Sequence, residues 1–536
     1  MSRSSFPSRP GRKLLTASAL ALLAAAPPVG AQSGPGDPVV TGAVQVTSNP
    51  MPVRSHTSPS IAVNPRNGRL ALVESDVRGD SRACNVHVSA DGGRSWARGG
   101  EIMTKPFTDC SFRGEYGPYA NAAYGRDGTL YVAFIASDVY PDRERDAIPR
   151  HFFLARSTDD GRTFVTTRAY EAPDGNRDLG LNKGPMLAVD PNDSDKVYVG
   201  WRQGVRGAQA KENLKTSVAA TSDGGRTFAP PVNIADERGG DYPGLAVDGE
   251  GTVHAVVWTR TGTFPLLPAD APVPVKQIVY SRSTDSGQTF SKPVDIDPGN
   301  QSTFRPPVLA ADPKSNNLYM TWHSHAEVNN SGSSFQGDLN VFFRASTDGG
   351  RTWSARKGLN DATNRANQFE PGISVAPNGR VDVAWFDFRN SPTGPSVARG
   401  QDDERGSSDN FYTSSTDGGR TWTRNVQVSD RSSDRSVGVW SNGFSSRFNM
   451  GVTSTNDSVF FAWQDSRNGS RETQSEDVYT SSLHLDPITG DTDSTGVPPW
   501  LLLGAGLAGG MAVSILAAWA FARRSTGDAA RVTSRT

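Results

Sequence analysis

Cysteine is almost missing from this chain: Cys84 and Cys110 are its only two in 536 residues. A fold stapled by many disulfides is therefore excluded, and so is a cysteine-rich zinc centre. An excess of either charge is missing too. The 55 Lys+Arg against 56 Asp+Glu leave a formal net charge of −1, which removes the electrostatic case for nucleic acid as a partner. The sequence holds no glycine-rich phosphate loop and no G-x-S-x-G nucleophile elbow. It holds no closely spaced His/Cys/Asp set for a metal. His323 and His325 read as loop residues, and the oxygen-rich stretch 190–195 reads as a turn rather than a calcium loop. No metal and no other cofactor is expected.

Long apolar runs are confined to the two ends. Arg9, Arg12 and Lys13 precede the run 14–26, and Val29-Gly30-Ala31 offers a small-residue cleavage site. Residues 1–31 read as a signal peptide, too short in its apolar part for the ~20 residues that cross a bilayer. Residues 500–522 are uncharged and apolar, with Arg523 and Arg524 behind them and Asp491 and Asp493 ahead. They read as one transmembrane helix, with 523–536 in the cytoplasm and the bulk of the chain outside. Between them, 486–499 is rich in Asp, Thr, Gly and Pro and reads as a stalk. Outside the cytoplasm, Cys84 and Cys110 are expected to pair.

What the chain has in quantity is turn residues, with Gly 55 and Pro 36, and one recurring octet. Residues 346–353 read STDGGRTW. Close copies begin at Ser89, Ser157, Thr221, Ser283 and Ser415, six in all, spaced about 62–69 residues apart. Such a period marks a repeat architecture. Each position has a physical task. The Asp carboxylate and the leading hydroxyl accept from turn amides that lack ladder partners. Glycine supplies positive φ, the Thr or Ser restores β geometry, and the final Trp or Phe covers apolar surface between sheets.

These octets resemble the Asp-box (BNR) repeats of the sialidase superfamily, and the resemblance spans most of residues 32–485. It implies a β-propeller. A second repeat agrees, built on Pro59, Pro118, Pro185, Pro243, Pro307 and Pro371, each followed by an apolar strand, with a degenerate seventh copy near Met450. Counting strands gives four short antiparallel strands per unit, the content of one blade. The last unit lacks its fourth strand, while residues 43–48 form an orphan strand at the other end. The orphan is expected to complete the last blade and close a seven-bladed ring. Six-bladed closure is the alternative.

In this strand order the octets share one face. Loops between blades, and from second to third strands, share the other, which is called the mouth below. Any site is expected there. Residues leading into first strands are candidates: Arg54 and His56, Glu115 and Tyr116, Lys183, Asp241 and Tyr242, Arg305, Phe369 and Glu370, and Arg447. Second strands end at Asp76 and Arg78, Trp201 and Arg202, Arg260, and His323 and His325. Asp387/Arg389 and Asp465/Arg467 repeat the Asp-x-Arg spacing of Asp76/Arg78, which puts both charges on one face as scaffold ion pairs.

Sialidases as a family hold the substrate carboxylate with three arginines, attack with a tyrosine backed by a glutamate, and use an aspartate as acid/base. The resemblance implies Arg54, Arg305 and Arg447 for the arginines and Tyr242 or Tyr116 for the nucleophile. It implies Glu370 for the base, and Asp80 for the acid/base because 74–80 resembles the family's segment. The family's Arg-Ile-Pro is here Thr57-Ser58-Pro59, so the first arginine is absent or is supplied by Arg54. Two functions stay open: a cell-surface sialidase-like hydrolase of exposed glycans, or a non-catalytic propeller binding a glycan or a surface protein.

Overall fold

The computed structural model describes residues 39–48, 55–78, 81–103, 107–110, 120–138, 150–171, 183–204, 214–235, 240–261, 275–297, 306–325, 339–364, 366–391, 406–438 and 450–485. The expected signal peptide, stalk, membrane helix and tail lie outside them. Among the described residues every regular element is a strand, and the strands form seven antiparallel sheets.

Blade 1 runs Ser55–Val63, Leu70–Arg78, Ser81–Ser89, Ala97–Arg98. Blade 2 runs Ala120–Tyr124, Leu130–Asp138, Arg150–Ser157, Val165–Tyr170. Blades 3, 4 and 5 begin at Lys183–Val189, Gly244–Val247 and Val308–Ala311. Blade 6 begins at Gln368–Val375 and blade 7 at Gly451–Ser454. Each first strand packs on the first strands of both neighbouring blades, and the cycle closes from blade 7 back to blade 1. That closed cycle makes the molecule a seven-bladed propeller, with first strands around the axis.

Second strands are covered on both sides by adjoining blades. Val381–Asp387 and Ser458–Asp465 are therefore buried at every residue, which explains why apolar side chains occupy successive positions at their centres, Val383 to Phe386 and Val459 to Trp463, rather than alternating ones. The core is a set of clusters between blades rather than one central core. Trp201 of blade 3, for example, stacks on Phe152 of blade 2 at 4.8 Å between ring centroids.

Ring closure is made by the N-terminal segment. Val39–Val40 and Val44–Gln45 pair with blade 7's third strand, Asp477–His484. The orphan strand thus docks where expected, but it starts earlier and in two short pieces. Between them the Thr41 amide donates to the Ser482 carbonyl at 2.8 Å. Two further pieces have no counterpart in the sequence reading. Phe107–Asp109 pairs with the second strand of blade 2, and Ser433–Asp434 with the third strand of blade 6.

All six octets fold alike. In blade 5 the Ser346 hydroxyl donates to Asp348 at 2.8 Å and accepts from the Gly350 amide at 2.9 Å. Asp348 then accepts the Thr352 amide at 2.9 Å and hydroxyl at 2.6 Å. The same bonds recur in blade 2, where those to Thr163 hold the Asp159 carboxyl down to about 2. The closing aromatic packs on the preceding blade: Trp422 meets Phe343 edge-on at 4.8 Å.

One glycine in this turn is irreplaceable. Gly350 has φ +79, and a Cβ there would land on the Tyr280 phenol of blade 4, whose hydroxyl donates to the Gly349 carbonyl at 3.0 Å. Gly350→Ala is expected to destabilise the protein by roughly 2–4 kcal/mol, through backbone strain plus displacement of Tyr280. Gly379→Ala, at φ +86 with open space around it, is expected to cost about 1 kcal/mol. Chemical denaturation of both variants measures the difference.

Candidate functional site

The mouth is shaped by a recurring break in the first strands. Ser58, Gly184 and Glu370 each precede a proline and each has positive φ, at 54, 94 and 52. The ladder register shifts at the same three points. Proline has no amide to give the ladder, so the strand bulges there and frees the amide before it. Positive φ at Ser58 and Glu370 is strain that surrounding contacts must hold. The freed amides have specific acceptors. Ser58 N–H donates to Gln464 Oε1 at 3.3 Å, and Glu370 N–H donates to His323 Nδ1 at 3.2 Å. Each acceptor follows the buried tryptophan on the second strand of the preceding blade, Trp463 or Trp322. His323 therefore sits on the strand Leu318–His325, buried and used as an acceptor. This corrects its reading as a loop residue: the second strand runs further toward the mouth than its apolar stretch indicates.

Register reveals an exception in the repeat. The residue following the repeat's proline opposes Gly200, Thr321 or Ala384 in blades 3, 5 and 6, and Gly451 opposes Ala462 in blade 7. The next residue is Trp201, Trp322, Trp385 or Trp463, every one fully buried; in blade 4 it is Val257. In blade 1, Ser60 opposes Val73 and the next residue is Glu74, at 0 % exposure. A carboxylate occupies the place where blades 3 to 7 keep an indole or an isopropyl group. It faces blade 7, because Leu72, two residues away on the same side, packs on Phe460, Ala462 and Val478.

Glu74 is fully enclosed by polar partners. His56 Nδ1 lies 3.1 Å from Oε2, His87 Nε2 lies 3.3 Å from Oε1, and Asn85 donates to Oε1 at 2.9 Å. Arg98 holds Asn85 at 2.8 Å. Burial opposes ionisation of Glu74, but the His56 charge and hydrogen bond and the His87 contacts outweigh it and bring the carboxyl down to about 2. Burial likewise opposes protonation of His56, and Glu74 outweighs it, so His56 is raised. His56 and Glu74 thus form a buried ion pair.

Across the same seam, blade 7 presents a second buried acid with the opposite tendency. Glu476 accepts from Ser55 Oγ at 2.5 Å and from Gln464 Nε2 at 3.0 Å. Burial dominates and pushes it up to about 7, against the hydrogen bonds and the Arg435 charge. Two carboxyls at one seam are therefore driven apart, one ionised and one near neutrality, a pattern that often accompanies functional sites.

A second polar corner lies between blades 3 and 4. Arg202 Nη1 reaches both oxygens of Asp241 at 3.4 Å, all of it buried. Tyr242 is buried beside Gly184. Glu370 belongs to blade 6, two blades further around. The structure thus puts Tyr242 and Glu370 on separate blades, with blade 5 between. Arg54, Asp80, Tyr116, Arg305 and Arg447 lie outside the described residues, as do Glu115 and the side chains of Arg78, Lys183, Arg260 and His325.

The Asp-x-Arg pairs are scaffold. Asp387 Oδ2 accepts from Trp385 Nε1 at 3.0 Å and from Arg389 Nη2 at 2.7 Å. Asp465 does the same with Trp463 and Arg467. Each arginine then lies over an aromatic ring, Phe411 or Tyr479. Cys84 and Cys110 form a disulfide, with Cα atoms 5.5 Å apart. Sequence reasoning missed Glu476, Gln464 and Arg435, and met Glu74 only as the start of the segment 74–80. Glu74 was discoverable as a glutamate at a tryptophan position; Glu476 carried no such signal.

Fold and mouth together define a seven-bladed β-propeller closed by its own N-terminal strand. No protein-family model matches the chain, and no curated protein does. Among solved structures it is similar to a Hadza microbial sialidase, with 14% identity over 76% of this chain and 73% of that one and a TM-score of 0.40. It is also similar to the Penicillium chrysogenum α-L-arabinanase complexed with arabinobiose, with 12% identity over 84% and 99% and a TM-score of 0.41. A third is an ulvan lyase, a polysaccharide lyase, with 10% identity over 80% and 93% and a TM-score of 0.47. At these values the likeness concerns scaffold, not reaction.

Proposed function

We propose that this chain is a cell-surface, sialidase-like propeller that recognises exposed glycans at its mouth. The observation that supports this reading is the mouth itself: first-strand entries bulged at Ser58, Gly184 and Glu370, with polar groups held below it at separate seams, Glu476 with Ser55 and Arg202 with Asp241. Carbohydrate recognition needs fixed hydrogen-bonding groups for hydroxyls and apolar ring surface for sugar faces. The opposite face carries the six octet turns, in which the Asp and the leading Ser or Thr are bonded within the turn.

Recognition rather than hydrolysis is the favoured form of this reading. Tyr242 and Glu370, the described members of the proposed catalytic set, stand on different blades, and both are buried. In the hydrolytic form, Arg54, Arg305 and Arg447 would hold a carboxylate, Tyr242 or Tyr116 would attack, and Asp80 would serve as acid/base. The leader at 1–31 and the apolar run 500–522 place the propeller outside the cell in this proposal.

The test uses the full-length protein in detergent, on a glycan array and with an aryl sialoside. Glycan binding without fluorophore release is expected. A blank array together with no release would remove the glycan reading. Rapid release that disappears in Tyr242→Phe or Tyr116→Phe would replace recognition by hydrolysis.

A further inference from the structure

The seam between blades 7 and 1 differs from the others in two independent ways. It borders the blade that the two ends of the chain complete together, by the short pairing of Val39–Val40 and Val44–Gln45 with Asp477–His484 inside blade 7. It is also the seam that holds Glu74 at the register position where blades 3 to 7 carry Trp or Val. Apolar plugs there give way to hydrogen-bonded charges.

We propose that this seam is an acid-stabilised clasp, tight while Glu476 is protonated and loosened when Glu476 gives up its proton. This does not depend on what the mouth binds.

The geometry around Glu476 makes its charge state matter. Its backbone pairs with Ser55 of blade 1, where the His56 amide donates to the Glu476 carbonyl at 3.0 Å. Its side chain is bonded to Ser55 of the same strand, and Gln464, its other side-chain partner, also holds the Ser58 amide. The carboxyl therefore sits at the joint between blades. Gly438, at φ +124, packs so closely that any Cβ there would fall on that carboxyl. Glu476 is 4 % exposed, so a new charge there would be poorly solvated.

The charged groups around it come from every packed element. Asp465 lies on the second strand of blade 7, and Asp477 follows Glu476 directly. On blade 1, His56 follows Ser55 and is itself faced by Glu74, Asp76 and Asp477. Arg435, beyond the fourth strand of blade 6, is the favourable cation, and it already lies over the Phe386 ring at 4.6 Å. An ionised Glu476 is helped by Arg435 and opposed by Asp465, and burial outweighs both. The alternative to ionising inside the seam is for the seam to part and hydrate the carboxylate.

The sign follows. Folding raises Glu476 from its ordinary 4.5 to about 7, so the closed seam holds a proton that the open one releases. Closure is favoured below about 4.5 and loses ground as pH rises through 7. His56 is also raised, so its loss of a proton acts in the same direction.

The test is hydrogen exchange by mass spectrometry on the full-length protein in detergent, at pH 6 and pH 8.5, corrected for the chemical exchange rate. Peptides covering 39–48 and 477–484 are expected to open about tenfold more at the higher pH, the ratio that linkage between 4.5 and 7 gives. Peptides from 214–221 in blade 3 are expected to stay level. Glu476→Gln, which keeps shape and hydrogen bonds, is expected to remove most of the rise. An unchanged seam in the wild type, or an undiminished rise in Glu476→Gln, overturns the proposal. Infrared titration of the wild type is a second readout that needs no variant: a buried carboxylic-acid band is expected to vanish with a midpoint near pH 7. Its absence at pH 6 also overturns the proposal.

Discussion

Deleting residues 39–48 is expected to open the ring and leave a protein that associates through its exposed edge. The segment supplies the fourth strand of blade 7, so without it Asp477–His484 becomes an unpaired edge, with Val478 and Leu483 buried on it in the intact protein. Unpaired edges of this kind are templates for pairing with another chain. The loss includes backbone bonds such as Val46 N–H to the Val478 carbonyl at 2.8 Å. It also includes Thr47 Oγ1 to Asp477 at 3.1 Å and the apolar cover from Val40, Ala43 and Val46. At ~1 kcal/mol per net hydrogen bond plus the apolar area, the cost is of order 5 kcal/mol. Size-exclusion chromatography with light scattering reads the association, and denaturant unfolding reads the stability. A monomer of unchanged stability would mean that the clasp does not close the ring.

Glu74→Ala is expected to destabilise the protein by roughly 3–5 kcal/mol, since it leaves His56 and His87 buried without their carboxylate. Glu74→Gln keeps the shape and is expected to cost less. The pH dependence distinguishes a charged role from a packing role. Folding lowers Glu74 from 4.5 to about 2, so its contribution is present above 4.5 and is lost as pH falls from 4.5 toward 2. That amounts to about 3 kcal/mol at 1.36 kcal/mol per unit. Wild type is expected to weaken steeply over that interval and Glu74→Gln to weaken less. Parallel acid unfolding curves for the two would show that Glu74 is held by packing alone. Glu74→Trp restores the residue of blades 3, 5, 6 and 7. It is expected to fold only if His56 and His87 are replaced as well, because a lone indole leaves both imidazoles without an acid.

Much of the fold could be read in advance because it is written in local chemistry. An octet such as Ser415 to Trp422 fixes its own turn: Asp417 bonds Thr421, and Ser415 bonds Gly419, all within eight residues. The Asp387/Arg389 and Asp465/Arg467 ion pairs were legible for the same reason, since strand alternation alone puts i and i+2 together. Glu476 and Gln464 were not legible. Their partners, Ser55 and Ser58, lie more than 400 residues away in the chain, and no local pattern marks a pairing of that span. His323 was misplaced because a strand's polar last turn toward the mouth looks like loop until the partner strand, Leu339–Ser346, is seen to continue beside it.

By itself the sequence determined the repeating unit, its four strands and the strand that completes the last, and it favoured seven units over six; the closed cycle of first strands made the count seven. The unit and its strands follow from hydrogen bonds and apolar periodicity between near neighbours, repeated at constant spacing. Only the tertiary structure decided which polar residues meet at the seam of blades 7 and 1, and which of the two acids there keeps its proton. Ring closure is what brings the chain's ends together, and burial acts on a carboxyl only once closure has taken water away.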